Sequence, residues 1–253
     1  MGRQKELYLV LDTETCNSVE EPIPYDIGWA ICDRMGNVLK RQSFIVAEVF
    51  LDMKDVMQSA YYAEKIPRYW DDIKNGTRQL KGMWNIRKEM LDDIKAYNIH
   101  KVAAYNMGFD KRALNNLIRY ISKSFLRWWF PFGIEYVCIW HCACQVLLNR
   151  KTYIEFAEKN GLVSDKDNIL TSAESAYMYI TKNLEFTESH TGLEDVEIEI
   201  EILRECFRQH KKMDKKIYSA CWQIVQKKRK ELRGKNAPKP VHLSRCTRLL
   251  MNW

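Results

Sequence analysis

Residues Glu6-Leu7-Tyr8-Leu9-Val10-Leu11-Asp12-Thr13-Glu14 pass from a nearly unbroken apolar run straight into two acids. A run as short and apolar as Glu6 to Leu11 predicts a strand covered on both faces, as inside α/β sheets. The acids fall at its carboxyl end, two residues apart, so the alternation of a strand points both side chains to one face.

Outward from this strand, Tyr25 to Cys32 and Val38 to Val46 predict an antiparallel hairpin, joined through Asp33-Arg34-Met35-Gly36-Asn37. From Asp52 to Tyr97 the spacing becomes helical, with interruptions expected at Pro67 and at Asn75-Gly76. Val102 to Tyr105 predicts a short parallel strand, Lys111 to Ser122 a helix and Glu135 to Ile139 a strand. A helix is expected from Tyr153 to Asn160, stopped by Gly161, and another amphipathic segment from Ser172 to Lys182. Strands first and alternating units after them imply a mixed central α/β sheet flanked by helices.

The chain has 253 residues, 46% apolar and 12% aromatic, enough for one sizeable core. The net charge of +7 is unevenly placed. From Arg204 to Trp253 there are 15 Lys or Arg against 3 acids, which leaves 25 and 30 in the remainder. The body is thus mildly acidic and the tail basic, with the boundary expected near Gln209 and a helical extension over 210–253.

No apolar stretch approaches the roughly 18 residues that span a bilayer, and Met1 to Glu6 lacks a secretory pattern. The sixth position is Glu6, where a myristoylation signal needs Ser or Thr. A soluble, cytoplasmic protein is expected, with its eight cysteines reduced.

Asp12 and Glu14 at the carboxyl end of a strand repel each other unless a cation neutralises them, and paired carboxylates are ordinary ligands for Mg²⁺. Alone the pair is weak evidence, since an Asp capping a turn and a solvated Glu give the same sequence. Asp110 follows Ala103-Ala104-Tyr105-Asn106 and precedes a helix, a second strand-to-helix junction where it could equally serve as an N-cap. In Ser189-His190-Thr191-Gly192-Leu193-Glu194-Asp195, Thr191 and Glu194 have the spacing of a capping box. That places His190 before the cap and Asp195 at the fourth helical position, two sites that meet in space and usually hold an apolar pair. A histidine and an acid there call for a functional explanation.

Taken together, "LDTET" near the start, "AYNMGFD" in the middle and "HTGLEDVEIE" near the end resemble, in order and spacing, the three motifs of the DnaQ-like 3′–5′ exonucleases of the DEDDh branch. The resemblance covers roughly Glu6 to Gln209 and implies an RNase H-like fold, with 1–209 as the exonuclease domain. It implies that Asp12, Glu14, Asp110 and Asp195 hold two Mg²⁺ or Mn²⁺ ions while His190 is the general base. The substrate expected is a nucleic acid with a 3′ end, single-stranded DNA being favoured, with Thr13, Thr15, Asn106 and Phe109 as candidate contacts, Phe109 either packing under the metal site or touching the terminal base. An exoribonuclease would share every catalytic residue, and a non-cleaving nucleic-acid or replication-protein binding module could use the same fold. The segment Met53 to Leu80, with Tyr61, Tyr62 and Trp70, lies outside the shared motifs and is a candidate lid or partner surface.

Three other groups carry alternative readings. Cys138, His141, Cys142 and Cys144 resemble a zinc cluster only briefly, because adjacent His141 and Cys142 cannot share one helix face; buried thiols are the expectation. Trp128, Trp129, Phe130 and Phe132 suit core packing or stacking on bases. Lys211, Lys212, Lys215, Lys216 and then Lys227, Lys228, Arg229, Lys230 are dense enough to attract phosphate, or simply form a solvated helix.

Overall fold

The computed structural model describes residues 6–60 and 62–236. Strand β1 runs Leu7–Cys16, β2 Ile23–Asp33 and β3 Val38–Val46. β1 is longer than its apolar run because β2 pairs it to the end, Glu14 opposite Asp26 and Cys16 opposite Ile23. A register shift between Glu14 and Thr15 marks a bulge, a device that re-aims side chains beside functional sites. The hairpin closes as expected: Gly36 adopts φ +79°, its N–H reaches Asp33 O at 3.0 Å, and Asp33 Oδ1 accepts from Met35 N at 2.8 Å.

The next stretch departs from the expected run of helical spacing. It breaks into α1 Ala47–Phe50, α2 Lys54–Met57, a 3₁₀ turn Ala63–Lys65 and α3 Ile66–Lys74. A three-residue strand β4, Gln79–Lys81, and then α4, Met83–Ala96, follow. Pro67 interrupts nothing, because it sits in the first turn of α3, where its missing N–H has no intrahelical partner to lose. Asn75 does end that helix, and Gly76 leaves it with φ +72°.

β5 Lys101–Ala104 leads into α5 Met107–Ser122, and β6 Glu135–Cys138 into α6 Ile139–Val146. α7 Lys151–Lys159, α8 Ala173–Thr181, α9 Gly192–Arg208 and α10 Trp222–Asn236 complete the order. α5 starts four residues before the expected Lys111, with Asn106 at its N-cap, so Asp110 lies inside the first turn and is not a cap.

The six strands form one sheet in the order β4-β3-β2-β1-β5-β6, in which β2 alone runs against the others. One face carries Leu9, Leu11 and Trp29 against Met90 of α4 and Leu114 and Leu117 of α5. The other carries Tyr8, Val10 and Ala30 against α6, α9 and the start of α10. Central strands β3-β2-β1-β5-β6 with only the second reversed, between helical layers, make the RNase H-like arrangement.

Beyond Gln209 the chain returns to the body. Cys138 N donates to Lys215 O at 2.8 Å, and Cys221 and Val225 lie in the second core. α10 is not uniformly solvated: Lys227 and Lys230 are exposed, but Arg229 is buried and pairs with Glu158 at 2.8 Å and Asp167 at 3.0 Å. The remainder of the basic extension, 237–253, lies outside the described residues. Among the described residues no helix is long and apolar enough to cross a membrane.

Candidate active site

The site is set by how closely α9 approaches the sheet. Gly28 of β2 lies opposite Asp12 in register. A Cβ on Gly28 would overlap the Gly192 carbonyl carbon and the Leu193 nitrogen, and one on Gly192 would come within 2.9 Å of Gly28 N. Bare backbone against bare backbone lets Gly192 N–H donate to Asp26 Oδ2 at 3.1 Å. The same oxygen accepts from Tyr69 Oη at 2.9 Å and from Arg78 Nη1 at 3.1 Å. Arg78, itself buried, places Nη2 2.8 Å from both carboxylate oxygens of Glu194 and Nε 3.0 Å from Asp72 Oδ2. This hub pins the first turn of α9 over the carboxyl end of β1.

Thr191 is the N-cap of α9, as its spacing predicts, but the capping box is not formed as expected. Its side chain makes no cap hydrogen bond and lies 3.0 Å from Ser189 Oγ, while Glu194 turns to Arg78. His190 precedes the cap with φ +50°, a left-handed conformation uncommon outside glycine that turns the chain sharply into the helix. His190 and Asp195 do meet. Together with Glu14 they offer ligand atoms that all lie within 4.8 Å of one another. Asp12 and Asp110 do not belong to that close group.

Asp110 reaches the end of β1 from the first turn of α5. Its Oδ1 accepts from Thr13 Oγ1 at 2.9 Å, because Thr13 points away from Asp12 and Glu14 toward α5. Asp195 is held by Ser189 Oγ at 3.1 Å. Burial pushes the Glu14 carboxyl up to about 8, with Asp195 and Asp26 adding to it and Lys65 opposing. Burial likewise raises Asp110 to about 7 and Asp195 to about 6, against the hydrogen bonds from Thr13 and Ser189. Asp12 is raised well above the ordinary range by burial and then by Asp110, Glu199, Glu14 and Asp195. His190 is lowered by burial and by Lys65, which favours its neutral form. The cation bearing on this cluster is Lys65, whose ammonium donates to Ser189 O and lies 4.6 Å over the Tyr62 ring. Tyr62 in turn stacks on His190, centroids 4.0 Å apart and planes inclined by 14°.

A cleft of about 240 Å³ opens beside this cluster, lined by Thr13, Glu14, Thr15, Tyr62 and Phe109 among others. Three of the four residues expected at the substrate therefore border it. Asn106 does not line it and sits exposed at the start of α5. Tyr62 belongs to the 53–80 segment and reaches the site. Trp70 of that segment packs 4.9 Å from Phe50, and Tyr61 lies outside the described residues.

Sequence reasoning missed Glu199, Lys65, Glu188 and the hub of Asp26 and Arg78. Glu199 had a usable signal, four residues beyond Asp195 on the same helix face. Glu188, raised to about 7 by burial and then by Asp195 and Glu174, had none. Cys138, Cys142, Cys144 and His141 are buried, and the one group of three metal-binding side chains among the described residues is Glu14, His190 and Asp195. The aromatic group divides: Trp129 and Phe130 are core, whereas Trp128 and Phe132 are exposed.

Sheet order and a buried acid cluster at the carboxyl ends of β1 and β5 thus define an RNase H-like domain with a candidate cation site. No protein-family model matches the chain, and no curated protein sequence matches it. Among solved structures it is similar to E. coli exonuclease I bound to single-stranded DNA and zinc, with 13% identity and a TM-score of 0.46 over 78% of this chain and 39% of that one. It is likewise similar to E. coli exonuclease I with a dA16 oligonucleotide, at 12% and 0.46 over 78% and 39%. Product-bound exonuclease I gives 11% and 0.46 over 88% and 46%. The chain spans less than half the length of these enzymes, and identities this low concern fold alone.

Proposed function

We propose that the protein is a metal-dependent 3′–5′ exonuclease acting on a nucleic acid end, single-stranded DNA being favoured. The observation that carries this is that three separate stretches of chain converge, bringing ligand atoms of Glu14, His190 and Asp195 within 4.8 Å of one another, with Asp12 and Asp110 beside them, in a place where none of the acids has a salt-bridge partner among the described residues. Like charges driven together and left unpaired are what a divalent cation site looks like without its ions.

The donor set fits such ions, being hard carboxylate oxygens with one imidazole nearby. Asp12, Glu14, Asp110 and Asp195 would hold them. When bound, two divalent ions supply Lewis-acid polarisation of a phosphodiester and favour ionisation of water. The protein's own part is positional. Thr13 fixes the rotamer of Asp110, Ser189 that of Asp195, and the Asp26–Arg78 hub the height of α9 over β1. His190, kept neutral by burial and by Lys65, is able to accept the proton of the attacking water on a ring nitrogen. Tyr62, stacked on His190, limits the ring's rotation and closes one wall of the cleft. Phe109, half-buried at the opposite wall with Arg112 5.6 Å over its ring, offers a face to the terminal base.

The test is digestion of end-labelled single-stranded DNA, duplex DNA and RNA with Mg²⁺, Mn²⁺ or chelator, beside Asp12→Ala. Stepwise loss from the 3′ end of the single strand, with metal only and in the wild type only, is expected. Retention of label at every end with both metals, or equal activity in Asp12→Ala, overturns the proposal.

A further inference from the structure

Glu199 lies on α9 one turn beyond Asp195, so the two carboxyls rise from one face of the helix, the face against β1. The residue is 2% exposed. Its carboxyl group lies near the backbone of Tyr105, just past the carboxyl end of β5 and before the start of α5. One of its oxygens, Oε2, is buried with no hydrogen-bond partner. Burial apart, Asp110 is the neighbouring charge that acts on it most strongly, and Glu199 in turn acts on Asp12.

A buried carboxylate oxygen without donor or cation is costly, and such groups are rare in folded proteins. Asp26 Oδ1 is also without a partner, but the Asp26 charge is already met by Arg78, Tyr69 and the Gly192 N–H. Glu199 has no cation of its own among the described residues. A structural acid in this position would be expected to find a donor, whereas an acid belonging to a cation site finds its partner when the cation arrives.

Resting on the proposed function, we propose that Glu199 is a fifth carboxylate of the divalent-cation site, seated behind Asp12 and Asp110, with Oε2 satisfied by the ions or by their water. It supplies charge and orientation from the deep side of the cleft, out of reach of substrate. Residues that support metal ligands in this way typically alter metal affinity by about 10- to 100-fold when removed.

The experiment is calorimetric titration of Mn²⁺ into the full chain as wild type, Asp12→Ala, Glu199→Gln and Glu197→Gln, with thermal unfolding of each in chelator and in saturating Mn²⁺. Glu199→Gln keeps the shape and removes the charge. Glu197, exposed and paired with Arg41 at 2.8 Å, controls for loss of charge from the same helix. The expected result is a Kd for Mn²⁺ weakened about 10- to 100-fold in Glu199→Gln and unchanged in Glu197→Gln, with a smaller rise of Tm on adding Mn²⁺ in the former. Wild-type affinity in Glu199→Gln, whatever its stability in chelator, overturns the inference and leaves the proposed function standing. Absence of Mn²⁺ binding in the wild type overturns both. Should Glu199→Gln fail to fold, Glu199→Asp, which keeps the charge and retracts it, takes its place. Weakened Mn²⁺ binding in Glu199→Asp with unchanged Tm in chelator then supports the inference, and unaltered binding overturns it.

Discussion

Two groups of buried acids sit within a few residues of each other on β1, β2 and α9, and they are treated in opposite ways. Asp26 receives Arg78, Tyr69 and a backbone N–H, and Arg78 carries on to Glu194 and Asp72. Asp12, Glu14, Asp110 and Asp195 receive two hydroxyls and a share of Lys65. The difference teaches that the first group is scaffold and the second is not. A buried pair is strongly destabilising to break because it strands a charge, so the hub locks α9 in place. The cleft acids are stranded already, and the rest of the fold bears that cost.

This contrast can be broken from either side. The largest expected effect is on turnover: Asp12→Ala abolishes hydrolysis while the circular-dichroism spectrum stays that of the wild type, because no scaffold bond is lost. His190→Ala lowers kcat by about 10²- to 10⁴-fold, the ordinary worth of a general base, in single-turnover assays with Mg²⁺. Arg78→Met does the reverse, destabilising the fold by about 3–5 kcal/mol in denaturant melts, since the wholly buried Asp26 loses its cation. If Arg78→Met left stability intact and Asp12→Ala destroyed it, the two groups would have exchanged roles.

A further test is stability against pH. Glu14, Asp110 and Asp195 keep their protons in the fold to about pH 8, 7 and 6, whereas unfolded carboxyls ionise near 4. Between those limits the folded state binds more protons than the unfolded one, so metal-free stability falls as pH rises from about 4 to 8. Melting temperatures in chelator should show that decline, and saturating Mn²⁺ should flatten it by binding the ionised form. A metal-free Tm that climbs through this window contradicts the picture of unpaired acids.

How much of this was legible in the sequence depends on the range of the interaction. The strand entering Asp12, the hairpin and the start of α9 were readable because alternation, turn residues and a Thr191 cap act over a few positions. The break-up of residues 47–81 was not, since its helices are short and β4 forms only by pairing with β3. Glu199 carried a signal in its spacing from Asp195, but one that its surroundings obscure. Val196-Glu197-Ile198-Glu199-Ile200-Glu201 alternates like a strand, and only the helix that forms puts 199 with 195 and leaves 197 outside. The Asp26–Arg78 pair spans 52 positions, and no local rule joins them.

In the proposed function the unpaired acids at the carboxyl end of β1 seat divalent cations. An anomalous difference map from crystals soaked in Mn²⁺ tests it most directly. The account predicts density for the ion among Asp12, Glu14, Asp110 and Asp195. An empty cleft at saturating Mn²⁺, or ions bound only elsewhere on the surface, would contradict it.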